Sequence, residues 1–265
     1  MWTNTNNMKK FTIITALLII LQYMPSAAQE AAFKHGEKIT YTVFYNVIGI
    51  YINAGTATFT TSLEQYNNNN VYHVVGEGST NSKYDWIFKV RDRYESYFNT
   101  GDLQSVKFIR NINEGGYKKY EEVSFNQQTN TAITPDGVYK VPAKVQDLIN
   151  AIYYARNIDY NAHKPGDKIE FSMFLDNKVY DLYIKYLGKE TVKTRYGKYN
   201  AIKLSPLLIK GTVFKDDDKM TLWVTDDSNH IPVRVQSPIS VGTIKIDLKD
   251  VQNLKYPMES VVVKD

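Results

Sequence analysis

The residues of this chain that could do chemistry are scattered. Its four histidines, His35, His73, His163 and His230, show no H-x-x-x-H or H-E-x-x-H spacing. No pair of them is therefore set on one helix face for a zinc ion. The absence of cysteine excludes disulfides, thiolate metal sites, a cysteine nucleophile and a lipid-modified cysteine. Acidic residues cluster twice, at Asp216-Asp217-Asp218 and at Asp226-Asp227, on either side of the run that holds Trp223. Asp226 and Asp227 are the candidate oxygen ligands for Ca²⁺, but the D-x-D-x-D-G spacing of a calcium loop is missing. Asp also favours turns because its side chain caps local N–H groups. A glycosidase needs two carboxyl groups about 5–9.5 Å apart across a cleft. Glu95, Glu121, Glu122, Glu170 and Glu190 are available, and nothing in the sequence pairs them. No G-x-S-x-G elbow, S-x-x-K pair or phosphate-cradling glycine loop occurs. Asp92, Arg93 and Arg156 are read as a buried polar network between sheet and helix. No catalytic residue, metal or cofactor is expected.

Aromatic residues carry a different chemistry. The chain has 21 tyrosines among 265 residues. Tyrosine suits a half-buried strand surface. A concave sheet lined with such rings can also stack a glycan or bury an acyl chain. Tyr41, Tyr45, Trp86, Phe88, Tyr94, Tyr153 and Trp223 are the candidate lining residues.

Strands must position these side chains. Lys38 to Tyr45 alternates, with Ile39, Tyr41, Val43 and Tyr45 on one side, as a half-buried strand does. Ala54–Phe59 is a second run, with small residues where a neighbouring backbone approaches. Tyr84 to Phe98 reads as one long strand, with Trp86, Phe88 and Val90 on one face. Further short strands follow, including 179–187, 190–194, 220–225 and 243–254. Turn signals separate them at Asn67–Asn70, Gly115-Gly116, Pro135-Asp136-Gly137 and Asp176-Asn177. Val145, Leu148, Ile149, Ile152, Tyr153 and Ala155 instead recur at helical spacing, which predicts one helix near 144–157. The expected class is all-β, mainly antiparallel: a roll or open β-barrel with that helix packed on the sheet.

The first residues read as an export signal. Lys9-Lys10 precedes an uncharged run from Phe11 to Leu21, then Pro25 and Ser26-Ala27-Ala28. That run is too short to span a bilayer and has the flanks of a signal peptide. Residues 1–28 are the predicted signal peptide, cut after Ala28. Residues 29–265 form a single exported domain, or two β halves joined around the helix. Cleavage removes Lys9 and Lys10 and no acid, lowering the formal charge from +4 to +2. That is too weak a charge for a nucleic-acid partner. No later run is long enough for a transmembrane helix.

Ordered pieces of the chain resemble one family. They are Gly36-Glu37-Lys38-Ile39-Thr40-Tyr41, Ile52-Asn53-Ala54-Gly55-Thr56-Ala57, Phe88 to Ser96, Leu148 to Arg156, Gly197-Lys198-Tyr199-Asn200-Ala201 and Trp223 to Val233. Together they resemble domain-of-unknown-function family 3108 over roughly 36–250. The resemblance implies a β-rich protein of the Gram-negative periplasm, and it brings no catalytic residues. The expected function is that of a non-catalytic periplasmic protein, soluble and not lipid-anchored. It would bind a lipid or glycan of the cell envelope, or an envelope protein partner. The alternatives are a hydrolase of envelope polysaccharide or lipid, and a purely structural module of an envelope complex.

Overall fold

The computed structural model describes residues 30–47, 49–207, 220–239 and 242–264. The predicted signal peptide and the Asp216-Asp217-Asp218 cluster lie outside them. Residues 31–265 form one compact unit.

The fold is all-β and antiparallel. The strands are β1 (Lys38–Val47), β2 (Ile50–Tyr66), β3 (Asn69–Thr80), β4 (Arg91–Asn99), β5 (Ser105–Glu114), β6 (Tyr117–Asn126), β7 (Thr131–Thr134) and β8 (Gly137–Lys140). The helix α1 (Leu148–Ala155) follows. Then come β9 (Lys168–Leu175), β10 (Lys178–Lys193), β11 (Gly197–Pro206), β12 (Thr221–Thr225), β13 (Pro232–Pro238), β14 (Thr243–Gln252) and β15 (Val261–Lys264). They make one 15-stranded sheet in the order β8-β7-β6-β5-β4-β3-β2-β1-β14-β13-β12-β11-β10-β9, with β15 paired to β11. Every neighbour on this path is next in sequence except β1 and β14, which join the start of the chain to its end.

Local chemistry sets the hairpins. Asn67 and Asn68, Gly115 and Gly116, and Asp176 and Asn177 all have positive φ. Each pair forms a two-residue turn that matches strand twist, and these residue types tolerate the left-handed region. The sheet then curls until its two ends meet. Gln146 makes a parallel bridge to β9: its N–H donates to Ser172 O at 2.9 Å, and Phe174 N–H donates to its carbonyl at 2.9 Å. Phe174 packs on Phe125 and Tyr139, and Asn177 donates to Asp136 at 2.7 Å. Edge strand β9 is thus covered rather than left open for another chain to pair with.

Two readings of the sequence change. Residues 84–90 are not strand: Tyr84 O accepts from both Ile87 N and Phe88 N, closing a helical turn, and β4 starts only at Arg91. The alternation there reflected no buried face, because Trp86, Ile87 and Phe88 are exposed. The expected strands at 179–187 and 190–194 are one strand, β10, whose register shifts between Tyr186 and Gly188.

The helix sits where expected, although shorter. Asp147 stops it at its N-terminus by accepting from Ile149 N and Asn150 N at 3.0 and 2.9 Å, the usual role of an N-cap. Its other oxygen accepts from the Ser96 and Ser105 hydroxyls at 2.7 and 2.8 Å. These bonds fix the helix start against β4 and β5. The far end is fixed by Arg156, which is 2% exposed, and Glu37, which is 0% exposed. The guanidinium holds both carboxylate oxygens, at 2.6 and 2.9 Å, and its Nε donates to Asn229 O at 3.0 Å. It also lies 5.4 and 5.3 Å from the centroids of the Phe33 and Tyr153 rings. Burial works against the Arg156 charge, but the bound Glu37 carboxylate keeps its pKa above the ordinary value.

Two outcomes follow from these anchors. Arg156→Met strands a buried carboxylate and should cost about 3–5 kcal/mol in urea unfolding. The double variant with Glu37→Gln should recover part of that loss. Asp147 is buried without a cation, and burial raises its pKa to about 6 despite the four hydrogen bonds it accepts. Its carboxyl is therefore protonated at a higher pH in the folded chain than in the unfolded chain. Its contribution to stability rises as pH falls from above 6 toward 4, by roughly 2–3 kcal/mol. Asp147→Asn keeps a capping oxygen and should remove that slope when unfolding is measured across this range.

Candidate ligand site

Opposed residues on neighbouring strands share a face, so the register assembles the site in rows across the inner side of the sheet. The first row is Ile39, Phe59, Gly76, Tyr94, Arg110 and Glu121, one residue from each of β1 to β6. The second is Tyr41, Ala57, Gly78 and Asp92. The third is Val43, Gly55, Thr80, Val90, Glu114 and Tyr117. Helix α1 lies beneath the first row. A Cβ on Gly76 would stand 3.5 Å from Ile149 Cδ1 and 3.1 Å from the Phe59 ring, so glycine lets the helix close in. One row higher, a Cβ on Gly78 would meet nothing nearer than Asp92 Cβ at 4.0 Å.

Burial falls from row to row. Ile39, Gly76, Arg110 and Glu121 are buried in the first row. In the second, Tyr41 is buried and Ala57, Gly78 and Asp92 are half-buried; in the third, Gly55 is buried and Val43, Thr80, Val90 and Glu114 are half-buried. Tyr117 is exposed. The inner face is therefore closed over the helix and opens toward the end that carries Tyr117. Its floor is built from small residues, Ala57 and Gly78, which lie between Tyr41 and Asp92 and one row above Phe59 and Tyr94.

Charged groups line one wall. Arg110 pairs with Glu121 and with Asp176 from the β9–β10 turn, and Lys119 also reaches Asp176. Burial opposes the Arg110 charge, yet Glu121 and Asp176 hold its pKa above the usual value. Among the described groups, Arg110 Nε has no hydrogen-bond partner. Burial and then the Asp92 charge raise the Tyr94 phenol to about 12. Burial and the touching Asp92 carboxyl also raise the pKa of Glu114. A carboxylate beside another disfavours its ionisation. Glycoside hydrolysis instead holds its pair about 5 Å or more apart.

The residues singled out from the sequence are only partly brought together. Tyr94 and Asp92 lie in the site. Tyr41 is the buried β1 end of the second row, with its ring 6.0 Å from that of Phe59. Tyr45 is half-buried further along β1. Tyr153 lies below, in the core, with its hydroxyl 3.0 Å from that of Thr61. Trp86 and Phe88 stand on the exposed β3–β4 connection and line no interior surface. Trp223 is on β12, where Nε1 donates to Glu190 at 2.7 Å. Asp92, Arg93 and Arg156 do not form one network. Adjacent residues of a strand face opposite ways, and Arg93 points outward to Glu77 and Glu95 at 2.9 and 2.8 Å while Arg156 lies in the core. Asp226 pairs with Lys189 at 2.8 Å. Asp227 accepts from the Thr225 hydroxyl, Asn229 N and Ser260 N, which fixes the β12–β13 turn. No group of three or more metal-binding side chains occurs among the described residues. Sequence reasoning missed Phe59, Gly76, Gly78, Arg110 and Glu114. The spacing Gly76-x-Gly78 within a strand was the available signal, since it empties one face.

Residues 40–249 match the family model described as a protein of unknown function, DUF3108. The chain belongs to the DUF3108 family. Its fold is shared with a β-barrel-like protein of domain of unknown function DUF1849 from Brucella abortus. The two are 8% identical with a TM-score of 0.54, over 83% of this chain and 99% of that one. A Bacteroides fragilis protein inferred to be exported, with a YmcC-like fold, is 13% identical with a TM-score of 0.35, covering 84% of this chain and 100% of that one. A protein inferred to be a lipoprotein, from Parabacteroides distasonis, is 14% identical with a TM-score of 0.32, covering 84% and 99%. No curated protein matches the chain. Among the described residues of this DUF3108 member, no helix is long and apolar enough to cross a membrane.

The neighbouring carboxyls give the site a titration signature. Asp92→Asn removes the charge that opposes ionisation of Glu114. The Glu114 carboxyl, followed by NMR, should then titrate at lower pH than in the parent chain.

Proposed function

We propose that this DUF3108 protein is a non-catalytic, exported protein of the periplasm that binds an amphiphilic component of the cell envelope on its inner sheet face. One observation carries the reading: burial falls row by row from α1 to the open end, over a floor of Ala57 and Gly78. An acyl chain fits such a surface, because it needs apolar walls and room without competing side chains. Phe59 and Tyr94 supply the walls. The polar wall suits a headgroup, and Arg110 Nε is a buried donor without a partner among the described groups. A buried donor of this kind costs free energy until an acceptor reaches it. The export signal read at residues 1–28 and the absence of cysteine support a soluble periplasmic form.

Native mass spectrometry of gently purified protein should show a co-purified amphiphile, and a fluorescent fatty acid should bind and be displaced by it. Gly78→Leu adds bulk to the floor at a position where a Cβ meets no backbone atom within 4 Å. It should weaken probe binding at least tenfold while leaving the thermal midpoint within a few degrees. A parent chain that carries no amphiphile and binds no acyl probe would sink the proposal. Binding of an envelope oligosaccharide alone would replace the acyl reading with a glycan one.

A further inference from the structure

Several exposed large apolar side chains of the described residues stand together at one end, among them Trp86, the most exposed of all. The antiparallel register sends the β1–β2, β3–β4 and β5–β6 connections to the same end of the sheet, the end at which the inner face opens. In the β3–β4 connection Trp86, Ile87 and Phe88 are 82, 62 and 53% exposed, and Tyr117, at the start of β6, is 59% exposed. Ile50, at the start of β2, is exposed as well.

This tip has a fixed backbone. Ile87 N and Phe88 N donate to Tyr84 O at 2.9 and 3.1 Å. Asp85 accepts from the Thr80 hydroxyl at 2.8 Å and is gripped by the Arg91 guanidinium at 3.1 and 2.6 Å. Gly115 N donates to Lys89 O at 2.8 Å. The Phe88 ring lies so close over Gly115 that a Cβ there would stand 2.3 Å from it. Exposure is therefore built in. A tip held by this many bonds would have been cheaper to cover with polar side chains.

Lysines surround the tip. Lys83, Lys89 and Lys118 flank the tip, and none of them makes an ion pair among the described residues. Of the acids at this end, Asp85 is gripped by Arg91, and Glu114 lies on the inner face against Asp92. Lysine is depleted at the core of protein–protein interfaces. The same combination suits a lipid surface: tryptophan rests at headgroup level, isoleucine and phenylalanine reach the acyl boundary, and lysines extend to the phosphates.

We infer that the protein docks end-on to an anionic lipid surface through Trp86, Ile87 and Phe88, with Lys83, Lys89 and Lys118 on the headgroup phosphates. Docking in this way sets the open end of the inner face against the bilayer. The inference rests on the tip alone and holds whether or not the inner face takes a ligand.

The test uses the exported full-length product, its N-terminus defined by mass spectrometry. Trp223→Phe leaves Trp86 as the single tryptophan beyond the signal peptide, since the chain has three, at positions 2, 86 and 223. Vesicles of phosphatidylglycerol and phosphatidylcholine should shift its emission to the blue, and phosphatidylcholine alone should do so at least tenfold more weakly. Ile87→Ser with Phe88→Ser should weaken partitioning tenfold or more. Lys83→Gln, Lys89→Gln and Lys118→Gln together should bring anionic vesicles down to the neutral level. Trp86→Ser in the parent chain, read by co-sedimentation, gives the same comparison in a variant that alters only one exposed side chain. Absence of a blue shift on anionic vesicles, equal partitioning of the Ile87/Phe88 variant, or a shift seen only with a soluble protein partner would each overturn the inference. Gly78→Leu should leave vesicle docking intact, which separates a failure of the inner-face reading from a failure of this one.

Discussion

The ion pair between Arg156 and Glu37 is the contact on which the rest of the molecule depends. Two charges taken out of water are tolerated only when their geometry is good and their remaining hydrogen-bonding groups are used. Here the requirement reaches across most of the chain. Arg156 leaves the end of α1, Glu37 begins β1, and Asn229 O belongs to the β12–β13 turn. Asn229 in turn donates to Tyr256 O and Pro257 O, both at 3.1 Å, beyond the last strand of the central path. His230 Nδ1 lies 2.8 Å from the Arg156 carbonyl oxygen, and Ala32 N donates to Asn157 Oδ1 at 2.8 Å. One guanidinium thus fixes the helix, the first strand and both chain ends together. Apolar packing tolerates small slips, whereas a bidentate pair permits one arrangement.

That lock closes one end of the curled sheet and leaves the other to a different chemistry. Below the first row are Phe33, Phe98, Phe108 and Tyr153, all buried. Above it the strands carry alanine, glycine and a few charged groups, and the rim carries exposed aromatic and aliphatic side chains. The stability of the fold is concentrated at the closed end. The open end is free to trade packing for contact with something outside the molecule.

Much of this was legible in the sequence. Asn67-Asn68, Gly115-Gly116 and Asp176-Asn177 marked hairpins through their tolerance of positive φ, and period-two runs marked the strands between them. The helix showed itself through Ile149 and Tyr153. The inner face was harder to read, because a row such as Ala57 and Gly78 has no hydrophobic signal and gains meaning only from the strands beside it. The alternation of Trp86 and Phe88 looked like a buried strand face, since a sequence pattern does not distinguish apolar residues turned inward from those turned out. Arg156 could be suspected of burial, but its partner lies 119 residues away at Glu37, beyond any local pattern.

The pairing of β1 with β14 has a consequence in time. Lys38 stands opposite Gln252, so this ladder must wait for almost the whole polypeptide. The hairpins on either side can form early from local contacts, but closing so long a loop is slow. Until the last strands arrive, β1 has one free edge and Glu37 has no settled cage. The chain therefore stays unclosed until its last strands are made, a state from which it can still be drawn out as an extended thread.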